Sequence, residues 1–268
     1  MPHVTTGQFA LLIVATALFA AGLGLSLARL WRDRESLRVA AKACQYAGLL
    51  CGVAVLVWHS AARGVWQPLG DNFNTFVWLG LLLALFVVYN QLTHPLRGLE
   101  WFVLPIVILL LVCAAVFGKT QPHDYLNTAW SRVHRITSYG GALAFAVAGA
   151  VGTMYLIAHR RLRTKRAMPG PNLGSLERLE HLTLAAVTLG FALLTIGAVT
   201  GLVWSVRDDK PTPTAKIVMA MAVWVVYAIV LHSPINPSFR GRKAAVLSVV
   251  GFVLMVGTLL AVEFMTSA

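Results

Sequence analysis

Gly190-Phe191-Ala192-Leu193-Leu194-Thr195-Ile196-Gly197-Ala198-Val199-Thr200-Gly201-Leu202-Val203-Trp204 closes an apolar run from 182 to 204 that holds no ionisable side chain. A helix crossing the hydrocarbon core of a bilayer needs about 20 predominantly apolar residues, and this run supplies them. Its small residues recur at helical spacing. Gly197 and Gly201 share one face, as do Gly190 and Gly197, so a neighbouring helix or a flat ligand can approach closely. Of the two, helix packing is the simpler use of such a face.

Seven further predominantly apolar runs lie at 8 to 28, 39 to 58, 73 to 90, 101 to 117, 136 to 158, 217 to 231 and 244 to 262. The run at 217 to 231 is short. With 58% hydrophobic and only 12% charged residues and a mean hydropathy of +0.73, the chain is neither an ordinary soluble domain nor disordered. It reads as an all-α integral membrane protein, one bundle of about eight transmembrane helices over residues 1–268, with the lipid bilayer as its first partner. No fixed repeat period stands out, and no loop is long enough for a second domain.

Lys and Arg in short loops stay on the cytoplasmic side. Fifteen of the 22 follow the first, third, fifth and seventh runs, counting Lys42 in the first turn of the second run, in clusters such as Arg160-Arg161-Leu162-Arg163-Thr164-Lys165-Arg166. Both termini are therefore expected outside. The net charge of +12 reflects this topology and contact with anionic headgroups rather than nucleic-acid binding. The first run is followed, not preceded, by basic residues, the reverse of a cleavable signal peptide. Cys44, Cys51 and Cys113 fall inside runs with no Cys-x-x-Cys pair, which excludes a thiol oxidoreductase and a covalent haem attachment site.

His59, His134 and His232 sit where apolar runs meet polar loops. An imidazole at the membrane edge is costly without a partner, and it can ligate haem iron without carrying net charge into lipid. His59 ends the second run and His134 opens the fifth, both on the expected outer side. Two imidazoles from different helices could sandwich one iron. Arg63 lies four residues after His59, and Arg132 and Arg135 flank His134; all three could pair with propionates. Trp130, with Trp58 and Trp66, could cover the porphyrin. Hydrogen bonding of each histidine to a carbonyl at a helix end is the other reading. His3, His94, His123, His159 and His181 carry little weight as ligands. In the inner loop, Ser175-Leu176-Glu177-Arg178-Leu179-Glu180 reads as a capped, short interfacial helix.

Several stretches, in order, resemble the cytochrome c assembly family. They are Arg63-Gly64-Val65-Trp66-Gln67-Pro68 with Asn72-Phe73-Asn74-Thr75-Phe76, Trp130-Ser131-Arg132-Val133-His134 with Tyr139, Ser175 to Leu179, the run from Gly190 to Trp204, and Trp224 to His232. Arg240-Gly241-Arg242-Lys243-Ala244-Ala245 and Gly251-Phe252 extend the likeness, so it covers about residues 60 to 255. The resemblance implies a haem-handling membrane protein of cytochrome c biogenesis or haem homeostasis in the bacterial plasma membrane. His134 would be an external haem ligand and His232 an internal haem-binding histidine. It further implies non-covalent, b-type haem, and as partners a second biogenesis subunit and apocytochrome c.

Two stretches depart from the family pattern. Where members carry a tryptophan-rich external loop, this chain reads Val206-Arg207-Asp208-Asp209-Lys210-Pro211-Thr212-Pro213-Thr214-Ala215-Lys216, and no second external histidine follows the last run. The expected role is thus a subunit of a haem lyase system rather than a complete enzyme. The alternative is a non-catalytic scaffold that binds a partner through the face of Gly190, Gly197 and Gly201.

Overall fold

The computed structural model describes residues 5–30, 34–64, 66, 69–93, 96–118, 128–164, 173–207, 214–232 and 241–267, without the side chains of 215, 216 and 259–267. Among them are eight helices and no strand: α1 (Thr6–Ala28), α2 (Glu35–Arg63), α3 (Asn72–Thr93), α4 (Leu99–Phe117), α5 (Ala129–Thr164), α6 (Leu176–Arg207), α7 (Thr214–Leu231) and α8 (Arg242–Ser267). Each apolar run lies inside one helix, and α1 to α6 are long and apolar enough to cross a membrane. The apolar part of α7, Ile217–Leu231, is shorter, as its sequence indicates. His3, His94, His123 and the Met168–Pro171 stretch lie outside the described residues.

Hydropathy marks where lipid surrounds a helix, not where the helix stops. At 1.5 Å per residue the 36 residues of α5 run about 54 Å, well beyond a hydrocarbon core of about 30 Å. Its first turns, with Trp130 and His134, and its last, with Arg160, Arg161 and Arg163, project past the apolar run. The same effect corrects the reading of the inner loop. Ser175 does cap a helix, its Oγ accepting from the Arg178 amide at 3.3 Å, but that helix is α6 itself. No break separates it from the span, because no glycine or proline lies between Leu176 and the apolar run that starts at 182.

The helices divide into two compact units, α1 to α4 and α5 to α8. In the first, each helix packs on its sequence neighbour and α1 closes the ring against α4. In the second, the order is the same, α5 closing on α8, with α6 also touching α8. Lipid offers no hydrophobic drive between helices, so small residues and close contact hold such rings together. In the first unit, an added Cβ on Gly52 of α2 would collide with Leu81 Cδ2 of α3. Gln91 also donates to Gln45 at 2.8 Å between these helices. In the second, α5 is the most buried helix, lined by Gly141, Ala142, Ala144, Ala148, Gly149 and Gly152. Phe145 of α5 stacks on Tyr227 of α7, centroids 3.6 Å apart and planes within 4°. The Tyr227 hydroxyl donates to the Ser248 carbonyl of α8 at 3.3 Å, and Trp224 Nε1 of α7 donates to Thr195 Oγ1 of α6 at 3.1 Å.

Candidate functional site

The start of α5 and the end of α6 form one rim of the second unit. The glycine face of α6 is what brings them together. Added Cβ atoms would meet Phe145 at 2.6 Å from Gly190, Ser138 Oγ at 2.7 Å from Gly197 and the His134 ring at 2.7 Å from Gly201. All three glycines therefore seat α5. The face proposed for a partner protein is filled within the unit itself.

Because Gly201 has no side chain, the His134 imidazole lies flat enough on α6 to reach its backbone. Nδ1 stands 2.7 Å from the Gly197 carbonyl oxygen and 3.4 Å from Ser138 Oγ. The Gly197 oxygen also accepts from Thr200 Oγ1 at 3.2 Å. The Trp204 ring faces the imidazole with centroids 6.0 Å apart. At the same rim the Arg207 guanidinium lies 5.8 Å over the Trp130 ring, a cation–π placement. Trp130 is exposed, His134 half-buried, Arg132 exposed and Arg135 buried. Aromatic rings, cations and one anchored imidazole are thus gathered on a single edge.

His59 is placed differently. It is 2% exposed in the first unit, 5.1 Å from the Phe73 ring, with Nε2 3.6 Å from Asp71 Oδ2. Helix α2 continues through Arg63, so His59 and Arg63 are one turn apart. It ends at Gly64, whose φ of 67° is left-handed and costs glycine little. The chain then returns to Asp71, which is fully buried. Arg63 Nη1 donates to Asp71 Oδ2. Asp71 Oδ1 accepts the Asn74 amide at 2.7 Å and Oδ2 accepts Asn74 Nδ2 at 3.0 Å, which makes Asp71 the N-cap of α3. Burial works to raise the pKa of this carboxyl. The His59 side chain, the Asn74 amide and the Arg63 guanidinium outweigh it and hold the carboxyl below the usual carboxylate range.

The third histidine, His232, ends α7. It is exposed, and its Nδ1 stands 2.7 Å from the Ala228 carbonyl one turn back. His159 stacks on Tyr155, centroids 6.0 Å apart. His59 belongs to the first unit and His134 to the second. Sequence reasoning missed Asp71 and the seating role of Gly201. Asp71 announces itself as an N-cap type just before an apolar run. Nothing in the sequence alone says which helix Gly201 faces.

Comparison with known proteins agrees with this architecture. The cytochrome c assembly protein family profile matches residues 66–268. The cytochrome c biogenesis protein CcsA of Thermosynechococcus vestitus is 40% identical over 79 residues, 28% of this chain and 24% of that protein. The CcsA of Oryza sativa is 35% identical over 88 residues, 30% of this chain and 26% of that protein. The matched stretch thus spans about a quarter of these curated relatives. Among solved structures, cytochrome c haem lyase CcmF shares the fold with a TM-score of 0.64 at 16% identity, over 99% of this chain and 51% of that one. With the profile matched over most of its length, the chain belongs to the cytochrome c assembly family.

Proposed function

We propose that this protein holds haem at the rim of its second unit, as the haem-handling membrane subunit of a cytochrome c biogenesis system. One observation carries the reading. His134, which by resemblance corresponds to the family's external histidine, is anchored through one ring nitrogen among Trp204, Trp130 and Arg207. That donor set fits haem: an imidazole for iron, aromatic rings for the porphyrin plane, and arginines, Arg132 among them, for two propionates. The names of the relatives, a cytochrome c biogenesis protein and a cytochrome c haem lyase, support the same assignment.

His134 is the iron ligand in this proposal, and the haem is non-covalent and b-type. His59 and His232 are secondary candidates. The Arg63 guanidinium engages Asp71 in the first unit, so Arg132 and Arg207, which share the rim of His134 in the second unit, are the propionate partners in this proposal. A bound haem supplies the vinyl chemistry of thioether formation. The chain's own residues bind and orient it, and a second subunit and apocytochrome c complete the reaction. The basic loops support an orientation with both termini outside, and the membrane in this proposal is a bacterial plasma membrane.

The test is the absorption spectrum of detergent-purified protein, oxidised and reduced, with a pyridine haemochrome assay. His134→Ala is expected to lose most of the haem band of the wild type. Undiminished haem in that variant would sink the assignment of His134.

A further inference from the structure

The His134 ring is held by a backbone atom that can only accept. A carbonyl oxygen 2.7 Å from Nδ1 is a hydrogen bond if Nδ1 carries the proton, and a repulsive contact between two lone pairs if it does not. Ser138 Oγ, at 3.4 Å, is too distant to reverse that preference. The carbonyl is within reach only because of glycine. Ordinary contact begins near 3.4 Å, and a Cβ on residue 201 would lie 2.7 Å from both Cε1 and Nδ1 of the ring.

We infer that Gly201 is a positioning residue: by seating the imidazole against the Gly197 carbonyl it locks His134 in the Nδ1–H tautomer, directing the Nε2 lone pair to iron and strengthening it as a donor. A neutral imidazole has one donor and one acceptor nitrogen, and the bond made by the first fixes the second. A carbonyl accepting from Nδ1–H pushes electron density toward Nε2, which favours ferric over ferrous iron. Thr200 Oγ1, donating to the same oxygen, competes for its electron density and so moderates the push. This inference rests on the haem reading for its consequence but not for its geometry.

The first experiment uses no haem. The full chain, labelled with ¹⁵N at histidine, is purified in detergent at pH 8, and the His134 resonances are assigned by their loss in His134→Ala. A neutral Nδ1–H tautomer is expected, and the Nε2–H form or rapid averaging of the two would overturn the lock. Ser138→Ala is expected to leave the tautomer unchanged, and a switch to Nε2–H would overturn the assignment to Gly197 by giving the role to Ser138. Gly201→Ala is expected to mix the tautomers. It should also shift the midpoint potential of supplied haem to a more positive value while haem stays bound; an unchanged tautomer and potential would count against the inference. Should that variant not fold, the wild-type spectrum still decides. The two readings fail separately. Haem retained in His134→Ala removes the ligand assignment and leaves the tautomer lock, whereas an Nε2–H wild type does the opposite.

Discussion

Replacing Asp71 should reveal how much of the first unit hangs on one buried carboxylate. Its oxygens serve Arg63, the Asn74 amide and Asn74 Nδ2 with no exposure to water. Breaking a buried ion pair from one side costs about 3–5 kcal/mol because the other charge is stranded, and loss of a helix cap adds about 1 kcal/mol. Arg63 retains 12% exposure and can turn partly to water, so Asp71→Ala should destabilise by about 3 kcal/mol. Asp71→Asn keeps one acceptor, for the Asn74 amide, but sets an NH2 donor where Oδ2 accepts from Arg63 and Asn74 Nδ2, so a loss of about 2–3 kcal/mol is expected. Reversible unfolding in mixed SDS and mild-detergent micelles, followed by tryptophan fluorescence, measures both. The sign of the pH dependence follows from the depressed pKa. Stabilisation by Asp71 is fully present above the unfolded carboxylate value of about 3.9. It is lost as pH falls through the lower folded value, so the gap between wild type and Asp71→Asn should be flat from neutral pH to about pH 5 and shrink in more acid solution. An Asp71→Ala protein within about 0.5 kcal/mol of wild type at pH 7 would refute the clamp.

Three further outcomes are expected in the same assay. Gly190→Ala puts a methyl 2.6 Å from the buried Phe145 ring, which Tyr227 holds in place, and should cost about 1–3 kcal/mol; Gly24→Ala, with nothing within 4 Å, should be neutral or stabilise by up to about 1 kcal/mol. Tyr227→Phe should lose no more than about 1 kcal/mol for the long bond to Ser248, against about 3–5 kcal/mol for Tyr227→Ala. A double-mutant cycle of Trp224→Phe and Thr195→Val should give a coupling of about 0.6 kcal/mol, the scale of interhelical hydrogen bonds in lipid; a null coupling would remove that bond from the account.

The eight helices were readable because lipid imposes one hydropathy rule on every helix it surrounds. Helix ends were harder to place, since the extensions of α2, α5 and α6 are polar and obey no such rule. Close packing at Gly190, Gly197 and Gly201 was readable, but the partner was not. A glycine shows that something approaches, and only the fold shows that it is α5. His134 and His232 stand at span edges in the sequence, and the carbonyl reading of helix-end histidines applies to both. His59 is a ligand candidate in the sequence through its neighbours Trp58 and Arg63; that it also faces the Asp71 carboxylate depends on the α2–α3 turn, which the sequence does not reveal. The division into two rings left no repeat in the sequence, because ring closure depends on which helices touch and not on similarity between them.

The clamp at the tip of the α2–α3 hairpin also bears on how that hairpin enters the bilayer. In the proposed orientation the tip is translocated, and a lone aspartate or arginine at the centre of a helix costs about 2.5–3.5 kcal/mol to insert. Arg63 and Asp71 cancel one another as soon as α2 and α3 meet, and the bonds from Asn74 shield what charge remains. A hairpin that forms before crossing carries a neutral tip, whereas two helices inserted one at a time would each carry a bare ion. In that orientation, insertion of the first unit costs least when α2 and α3 leave the translocon as a pair.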